Sequence, residues 1–380
     1  MRTLSTYQSI TEKQQLGTRC ETKLIVCCAR TQIDELTSEK IKALLQQDID
    51  WKYVIQSATY HKVMPLLYQN LNTVCPKLVP QNVLAYLQQS FQKNAARNLF
   101  LTMELLRILN IFECQGITAI PIKGAILASS VYGNLALRRF CDLDILVRQK
   151  DAIKARDILV SEGYESSYNF TREQEVARLK SPYCKDNNYF HKDSRINIDF
   201  HWQLLQRYLS FPLDHERLWE RHTFASIAGK KVIHLSAEDN LLFLCVHGSR
   251  DRWRNLSLIC DIAELIRIYP NINWRQVIEQ ARILGCNRRL LLGLFLANNL
   301  LGTDLPEEIL QKIAEEVEIK FLAIKVYQEM FQHSYETPSL IERSLFDIRI
   351  REYLQDKIKY CVYQSVLTFT RSNGILTTLI

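Results

Sequence analysis

The segment Cys141-Asp142-Leu143-Asp144-Ile145-Leu146-Val147 places two carboxylates two residues apart at the mouth of an apolar run. In a β-strand alternate residues share a face, so Asp142 and Asp144 point the same way, with Cα atoms roughly 6.5 Å apart, while Leu143 and Ile145 face the core. Two such charges repel unless a cation neutralises them. Mg²⁺ takes carboxylate oxygens together with phosphates and water, so the arrangement suits a metal-assisted reaction on a phosphate ester. The competing reading is a turn in which Asp142 caps and Asp144 is solvated. A second segment, Ile196-Asn197-Ile198-Asp199-Phe200-His201-Trp202, alternates cleanly. Its isoleucines, Phe200 and Trp202 form an apolar face; Asn197, Asp199 and His201 form a polar one. Asp199 on a neighbouring strand would complete a three-carboxylate, two-metal site, in which one metal activates a hydroxyl and the other steadies phosphates. An ordinary half-exposed strand is the alternative.

Upstream, Pro121-Ile122-Lys123-Gly124 runs into a helical segment beginning at Ala125. A glycine there lets the backbone approach a phosphate, and Lys123 adds a point charge, although a simple turn has the same composition. Arg138 and Arg139 precede the carboxylate strand and are placed to reach phosphate oxygens, or else form a surface pair. His247, Arg250, Arg252 and Trp253 cluster where a helix is expected to end at Gly248. His247 is either a substrate contact or a capping histidine, and Trp253 reads as a core residue.

The elements that must position these groups follow from periodicity. Residues 1–31 are polar apart from Leu24 to Ala29 and read as a loosely attached arm. Residues 32–113 carry apolar positions at helical spacing, with a long breaker-poor helix from Gln81 to about Glu113. The period changes over 114–235, where strands are expected at Ile117–Ile122, Leu143–Val147, Tyr189–Phe190, Ile196–Trp202 and Val232–Leu235. Residues 236–380 return to a helical pattern. The expected fold class is α+β: a mixed sheet flanked by N-terminal and C-terminal helical regions.

Composition bounds the rest. The chain has 380 residues and 44.5 kDa, with 47% hydrophobic and 23% charged residues, which excludes bulk disorder. No run reaches the roughly 18 apolar residues of a membrane span, and Met1 to Gly17 lacks a signal-peptide core. Eleven cysteines without a C-x-x-C pair read as reduced thiols of a cytoplasmic protein. The net charge of +7 is spread along the chain; it permits a polyanionic ligand without demanding one.

In combination these residues resemble the uncharacterised nucleotidyltransferase family of bacteria, within the DNA polymerase β-like nucleotidyltransferase superfamily. The pattern is a strand, a glycine turn, a helix and a D-x-D strand, followed by a third carboxylate. It is matched by Ile122-Lys123-Gly124, Ala125 to Tyr132, Asp142 with Asp144, and Asp199. The narrower family's motifs are matched by Tyr132, by Arg138 through Val147, by Asp199-Phe200-His201-Trp202, by Leu244 to Gly248 with Trp253, and by Asp261-Ile262-Ala263. The likeness covers roughly residues 36–300. It departs at the turn, where Lys123-Gly124-Ala125 replaces the usual G-S or G-G, so a phosphate-binding hydroxyl would come from Ser129 or Ser130.

The resemblance implies transfer of a nucleoside monophosphate from an NTP, ATP among them, to an acceptor hydroxyl or phosphate, with release of pyrophosphate. Asp142, Asp144 and Asp199 would hold two Mg²⁺ ions; Lys123, Gly124, Arg138 and Ser129 would seat the nucleotide; His201, His247 and Arg139 would face substrate. A small-molecule or protein acceptor ranks above RNA, because no basic stripe is interleaved with aromatics. No membrane association is expected, and the oligomeric state is left open. The rival is a catalytically silent nucleotide-binding or interaction module of the same fold.

Overall fold

The computed structural model describes residues 19–168, 170–181, 184–204, 215–331 and 340–372. Among the described residues five helices come first: α1 (Cys20–Cys28), α2 (Glu35–Leu45), α3 (Trp51–Tyr60), α4 (Met64–Val74) and α5 (Gln81–Cys114). Asp34 caps α2 by accepting from the Thr37 amide at 2.6 Å, and Asp50 caps α3 through Tyr53 at 3.0 Å. The 34 residues of α5 hold no glycine or proline, which lets the helix propagate unbroken until the left-handed turn at Gly116. The sequence pattern left Leu24 to Ala29 in a polar arm; the structure folds it into α1 with Leu24 and Ile25 fully buried. Those side chains had no partner in local periodicity, because they are covered chiefly by the three helices that follow, α2, α3 and α4. Residues 1–18 of that arm lie outside the described residues.

The mixed α/β segment follows: β1 (Ala119–Pro121), α6 (Ala125–Ser130), β2 (Asp142–Val147), α7 (Ala152–Ser161), β3 (Tyr164–Ser166), α8 (Arg172–Lys180), β4 (Asp186–His191), β5 (Ile196–His201), α9 (His215–Glu220), β6 (Thr223–Ile227) and β7 (Lys230–His234). Five strands form one mixed sheet in the order β1-β2-β5-β4-β3, with β2 and β5 parallel and the other pairs antiparallel. The strand expected at Val232–Leu235 is β7, which pairs with β6 in a separate hairpin rather than joining that sheet. Two elements, β3 and α8, fall where the sequence carries no clear period; β3 is only three residues long.

Among the described residues eight helices follow: α10 (Ala237–Arg250), α11 (Leu256–Ile268), α12 (Trp274–Ile283), α13 (Asn287–Leu301), α14 (Glu307–Glu315), α15 (Val317–Phe331), α16 (Leu340–Arg349) and α17 (Leu354–Ser372). Among the described residues no helix is long and apolar enough to cross a membrane. Helix α10 does not stop at Gly248 but continues through it to Arg250. The glycine is there for space. A Cβ at Gly248 would come within 2.3 to 2.6 Å of the buried Trp253 ring, so the residue that reads as a helix terminator is a seat for that indole.

The sheet divides two apolar regions. Leu143, Ile145, Val147, Ile196, Ile198 and Phe200 pack against Leu101, Leu105, Ile108 and Phe112 of α5 and against Ala155 and Leu159 of α7. On the other side, Ile122 and Leu146 join a core shared by N-terminal and C-terminal helices, with Leu24, Leu67, Leu244, Ile262 and Leu290. Burial on both faces is what aligns the register. A one-residue slip of β2 would drive Asp142 and Asp144 into the α5 layer.

Candidate active site

The parallel register of β2 and β5 sets Asp144 beside Asp199, Asp142 beside Asn197, and Leu146 beside His201. Paired residues share a face, so both carboxylates and the imidazole emerge on the side away from α5. Asp144, Asp199 and His201 each bring a ligand atom within 4.8 Å of the others, a spacing that suits a single cation. Asp142, half-buried at the strand entrance, shares the face but is not part of that group.

Asp144 is the centre of the charge arrangement. It is 4% exposed, and its Oδ1 lies 2.9 Å from Lys123 Nζ and 3.2 Å from His201 Nε2. Burial alone would raise its pKa, but the Lys123 ammonium and His201 outweigh burial and hold the carboxyl well below the usual range. Burial likewise disfavours the Lys123 ammonium, yet Asp144 and then Asp142 raise its pKa overall. Each partner therefore keeps the other ionised. The backbone that delivers Lys123 depends on Gly124, whose φ of +58° is strained for any L side chain; a Cβ there would meet the Asp142 carbonyl oxygen and the Phe140 ring only at ordinary contact distance, 3.5 Å, so the backbone conformation and not space requires the glycine.

The remaining groups divide by burial. Asp199 is pushed up to about 6 by burial, with Asp144 and Asp142 adding to the effect. Asp142 is also raised, by burial and Asp144. His201 is pushed down to about 4, mainly by burial and by Lys185, so its ring is neutral at physiological pH. Its Nδ1 has no hydrogen-bond partner and lies 3.7 Å from Asp186 Oδ2.

A cation held by Asp144 and Asp199 must displace the Asp199 proton at low pH. Its affinity is expected to rise about tenfold per pH unit up to roughly pH 6 and to level off above, and Asp199→Asn should flatten the slope. Isothermal titration of Mn²⁺ between pH 5 and pH 8 reads this directly. The sign for stability is opposite. With a raised folded-state pKa, Asp199 binds its proton more tightly when folded, so the cation-free protein loses stability as pH rises from the ordinary carboxylate range through about 6.

Two basic residues at the site carried no role in the sequence reading. Lys185, buried just before β4, pairs with Asp186, and burial together with Arg250 and Lys123 pushes it down to about 7. Arg250 ends α10 and is felt electrostatically by both Lys123 and Lys185. It donates from Nη2 to His247 Nδ1 at 3.3 Å. Burial and Lys123 push His247 well below its ordinary value, so this imidazole accepts, and its Nε2 lies 3.8 Å from Asp251. The C-terminal end of α10 thus brings charge beside Lys123 and Lys185 from a helix remote from both in the chain. Lys185 gave no sequence signal because Lys185-Asp186-Asn187-Asn188 has no hydrophobic alternation.

The other expected nucleotide contacts are placed differently. Arg138 gives Nε and Nη2 to the two oxygens of Asp261 at 2.8 Å each, and Tyr132 donates its hydroxyl to the same carboxylate at 2.7 Å. These are two of the sequence motifs meeting across 123 residues: they clamp the connection between α6 and β2 onto α11. Ser129 donates its hydroxyl to the Ser226 carbonyl of β6 at 2.8 Å, and Ser130 donates to Ile126 within its own helix. Arg139 is exposed. Trp253 is fully buried, a core residue as its surroundings in sequence suggested.

The arrangement is therefore an acidic, cation-ready strand pair facing a rim of Lys123, Lys185 and Arg250. That chemistry suits a metal-bound polyphosphate. No curated protein matches the chain. The family model for uncharacterised nucleotidyltransferases matches residues 47–302, more than half of the 380, and spans every residue of this site; the chain belongs to that family.

Proposed function

We propose that the protein transfers a nucleoside monophosphate from an NTP to an acceptor hydroxyl or phosphate. The acceptor oxygen bonds to the α-phosphorus, the α–β bridging P–O bond breaks, and pyrophosphate leaves. The observation that carries this reading is the register of Asp144 beside Asp199 opposite a cationic rim. The donor set fits divalent cations, two Mg²⁺ ions in the reading the family resemblance suggests, with Asp142, Asp144 and Asp199 holding them. When bound, such ions neutralise the triphosphate and lower the pKa of the attacking hydroxyl. Lys123 and Gly124 form the phosphate seat, and Lys185 and Arg250 add charge to it. Asp199, ionised above about pH 6, also takes up the acceptor proton. Arg138 acts through Asp261 by steadying the entry to β2. A small-molecule or protein acceptor is preferred over RNA. The eleven free thiols fit a reducing compartment, and we assign the protein to the cytoplasm of a bacterial cell. The superfamily relation to DNA polymerase β rests on the same order of strand, glycine turn and carboxylates.

Calorimetric titration of each NTP with Mg²⁺ into the wild type and into the Asp142→Asn, Asp144→Asn double variant tests the proposal. Metal-dependent binding of at least one NTP, lost in the double variant, is the expected result. Absence of binding to any NTP would favour the silent interaction module instead.

A further inference from the structure

We propose that His201 is a nitrogen ligand of the cation held by Asp144 and Asp199, that Asp186 orients its ring, and that this centre consequently prefers Mn²⁺ to Mg²⁺. The inference rests on the metal-site reading above and adds to it the ligand type and the identity of the ion. A site built only of carboxylates, phosphates and water suits Mg²⁺, whereas imidazole suits transition-metal ions; Mn²⁺, which shares Mg²⁺'s affinity for carboxylates, accepts a nitrogen ligand more readily than Mg²⁺ does.

The geometry of His201 carries the argument. The ring is 5% exposed and sits at the end of β5 with Nε2 toward Asp144 and Nδ1 toward Asp186. A neutral imidazole has one N–H and one lone pair. With the hydrogen on Nε2, the ring donates to Asp144 at 3.2 Å, but the Nδ1 lone pair then faces the Asp186 carboxylate, and Nδ1 is without a hydrogen-bond partner. With the hydrogen on Nδ1 instead, the 3.7 Å separation from Asp186 Oδ2 becomes a donor facing an acceptor, and closing it by less than about 1 Å makes a hydrogen bond. In that same tautomer the Nε2 lone pair faces Asp144 Oδ1 at 3.2 Å, a contact that a cation shared by His201, Asp144 and Asp199 makes favourable. A ligating histidine whose other nitrogen donates to a carboxylate is the usual way a protein fixes a metal-bound ring.

Asp186 is held for this role from both sides. The β4–β5 ladder pairs it with His201, Lys185 Nζ binds its carboxylate, and the Lys185 carbonyl accepts from the Trp202 and Gln203 amides at 3.0 and 3.2 Å. The end of β4 is thereby laced to the chain on either side of the imidazole. Asp186 is a positioning residue; it acts on the ion through His201.

The experiment uses the full chain and Mn²⁺ alone. Electron spin-echo envelope modulation of bound Mn²⁺ is expected to show ¹⁴N coupling in the wild type, a readout that needs no variant to fold. Titrations should show Mn²⁺ binding at least about tenfold tighter than Mg²⁺, with His201→Asn weakening Mn²⁺ by about 10- to 100-fold while shifting Mg²⁺ by no more than about threefold. Asp186→Asn should keep the ¹⁴N coupling and weaken Mn²⁺ by about tenfold. Mn²⁺ binding that is lost in Asp199→Asn yet shows no ¹⁴N coupling would overturn this inference and leave the metal-site reading standing. Mn²⁺ binding that survives both Asp144→Asn and Asp199→Asn, or no Mn²⁺ binding at all, would overturn the metal-site reading and this inference with it.

Discussion

Asp144→Asn is expected to reduce pyrophosphate release by about 10³-fold or more while preserving the fold. The amide oxygen of asparagine can still accept from Lys123, and from His201 in the cation-free tautomer that carries its hydrogen on Nε2, so the contacts at 2.9 and 3.2 Å survive without the charge. The charge is the point. Asp144 lies within electrostatic range of Lys123, Asp142, Asp199, Lys185, His201 and His247. Its removal takes an anionic ligand from the cation and leaves Lys123 as a buried ammonium with a neutral partner. Lys123 should then titrate lower, and Asp199, relieved of an adjacent negative charge, should titrate below its wild-type value of about 6. Pyrophosphate release, Mn²⁺ affinity and the far-ultraviolet dichroism of the variant are to be measured together. Wild-type turnover in a folded Asp144→Asn protein would sink the mechanism.

The second large effect lies outside the cation site. Asp261→Ala is expected to destabilise the protein by about 3–5 kcal/mol, because it strands a buried guanidinium and removes the acceptor of the Tyr132 hydroxyl. Removing one partner of a buried pair costs far more than removing both. The double variant Asp261→Leu, Arg138→Met should therefore recover most of the loss, with a coupling well above 1 kcal/mol in a double-mutant cycle. Guanidinium unfolding of the wild type, Asp261→Leu, Arg138→Met and their double variant closes the cycle, with Asp261→Ala measured beside them. An Asp261→Ala protein within about 0.5 kcal/mol of wild type would show that Arg138 finds another partner. Because the clamp holds the segment entering β2, turnover is expected to fall in Asp261→Ala even at temperatures where it remains folded.

These two residues also mark the boundary between what local sequence reveals and what it hides. The alternation in Asp142–Val147 and in Ile196–His201 made both strands and their polar faces legible, since a strand repeats every two residues whatever it packs against. The uninterrupted α5 and the helical run after Ala237 were equally plain, because helix periodicity and the absence of breakers are local properties. Local pattern failed where a residue's role is set by something remote. Gly248 reads as a helix end until the Trp253 ring is placed against it, and Leu24 to Ala29 reads as part of an arm until the three helices that follow fold over it.

By itself, then, the sequence determined the α+β class, the order of the carboxylate strands and the family. Each of these is carried by periodicity or by motifs within a few residues of one another. Only the tertiary structure decided which partner each charge received. It gave Arg138 to Asp261, set Lys123 on Asp144, drew His201 in with Asp144 and Asp199, and brought Arg250 close to Lys123 and Lys185. The reason is physical. A buried charge is tolerated only beside an opposite charge or a hydrogen-bonding partner, and which one lies within a few ångströms depends on how strands and helices far apart in the chain are packed.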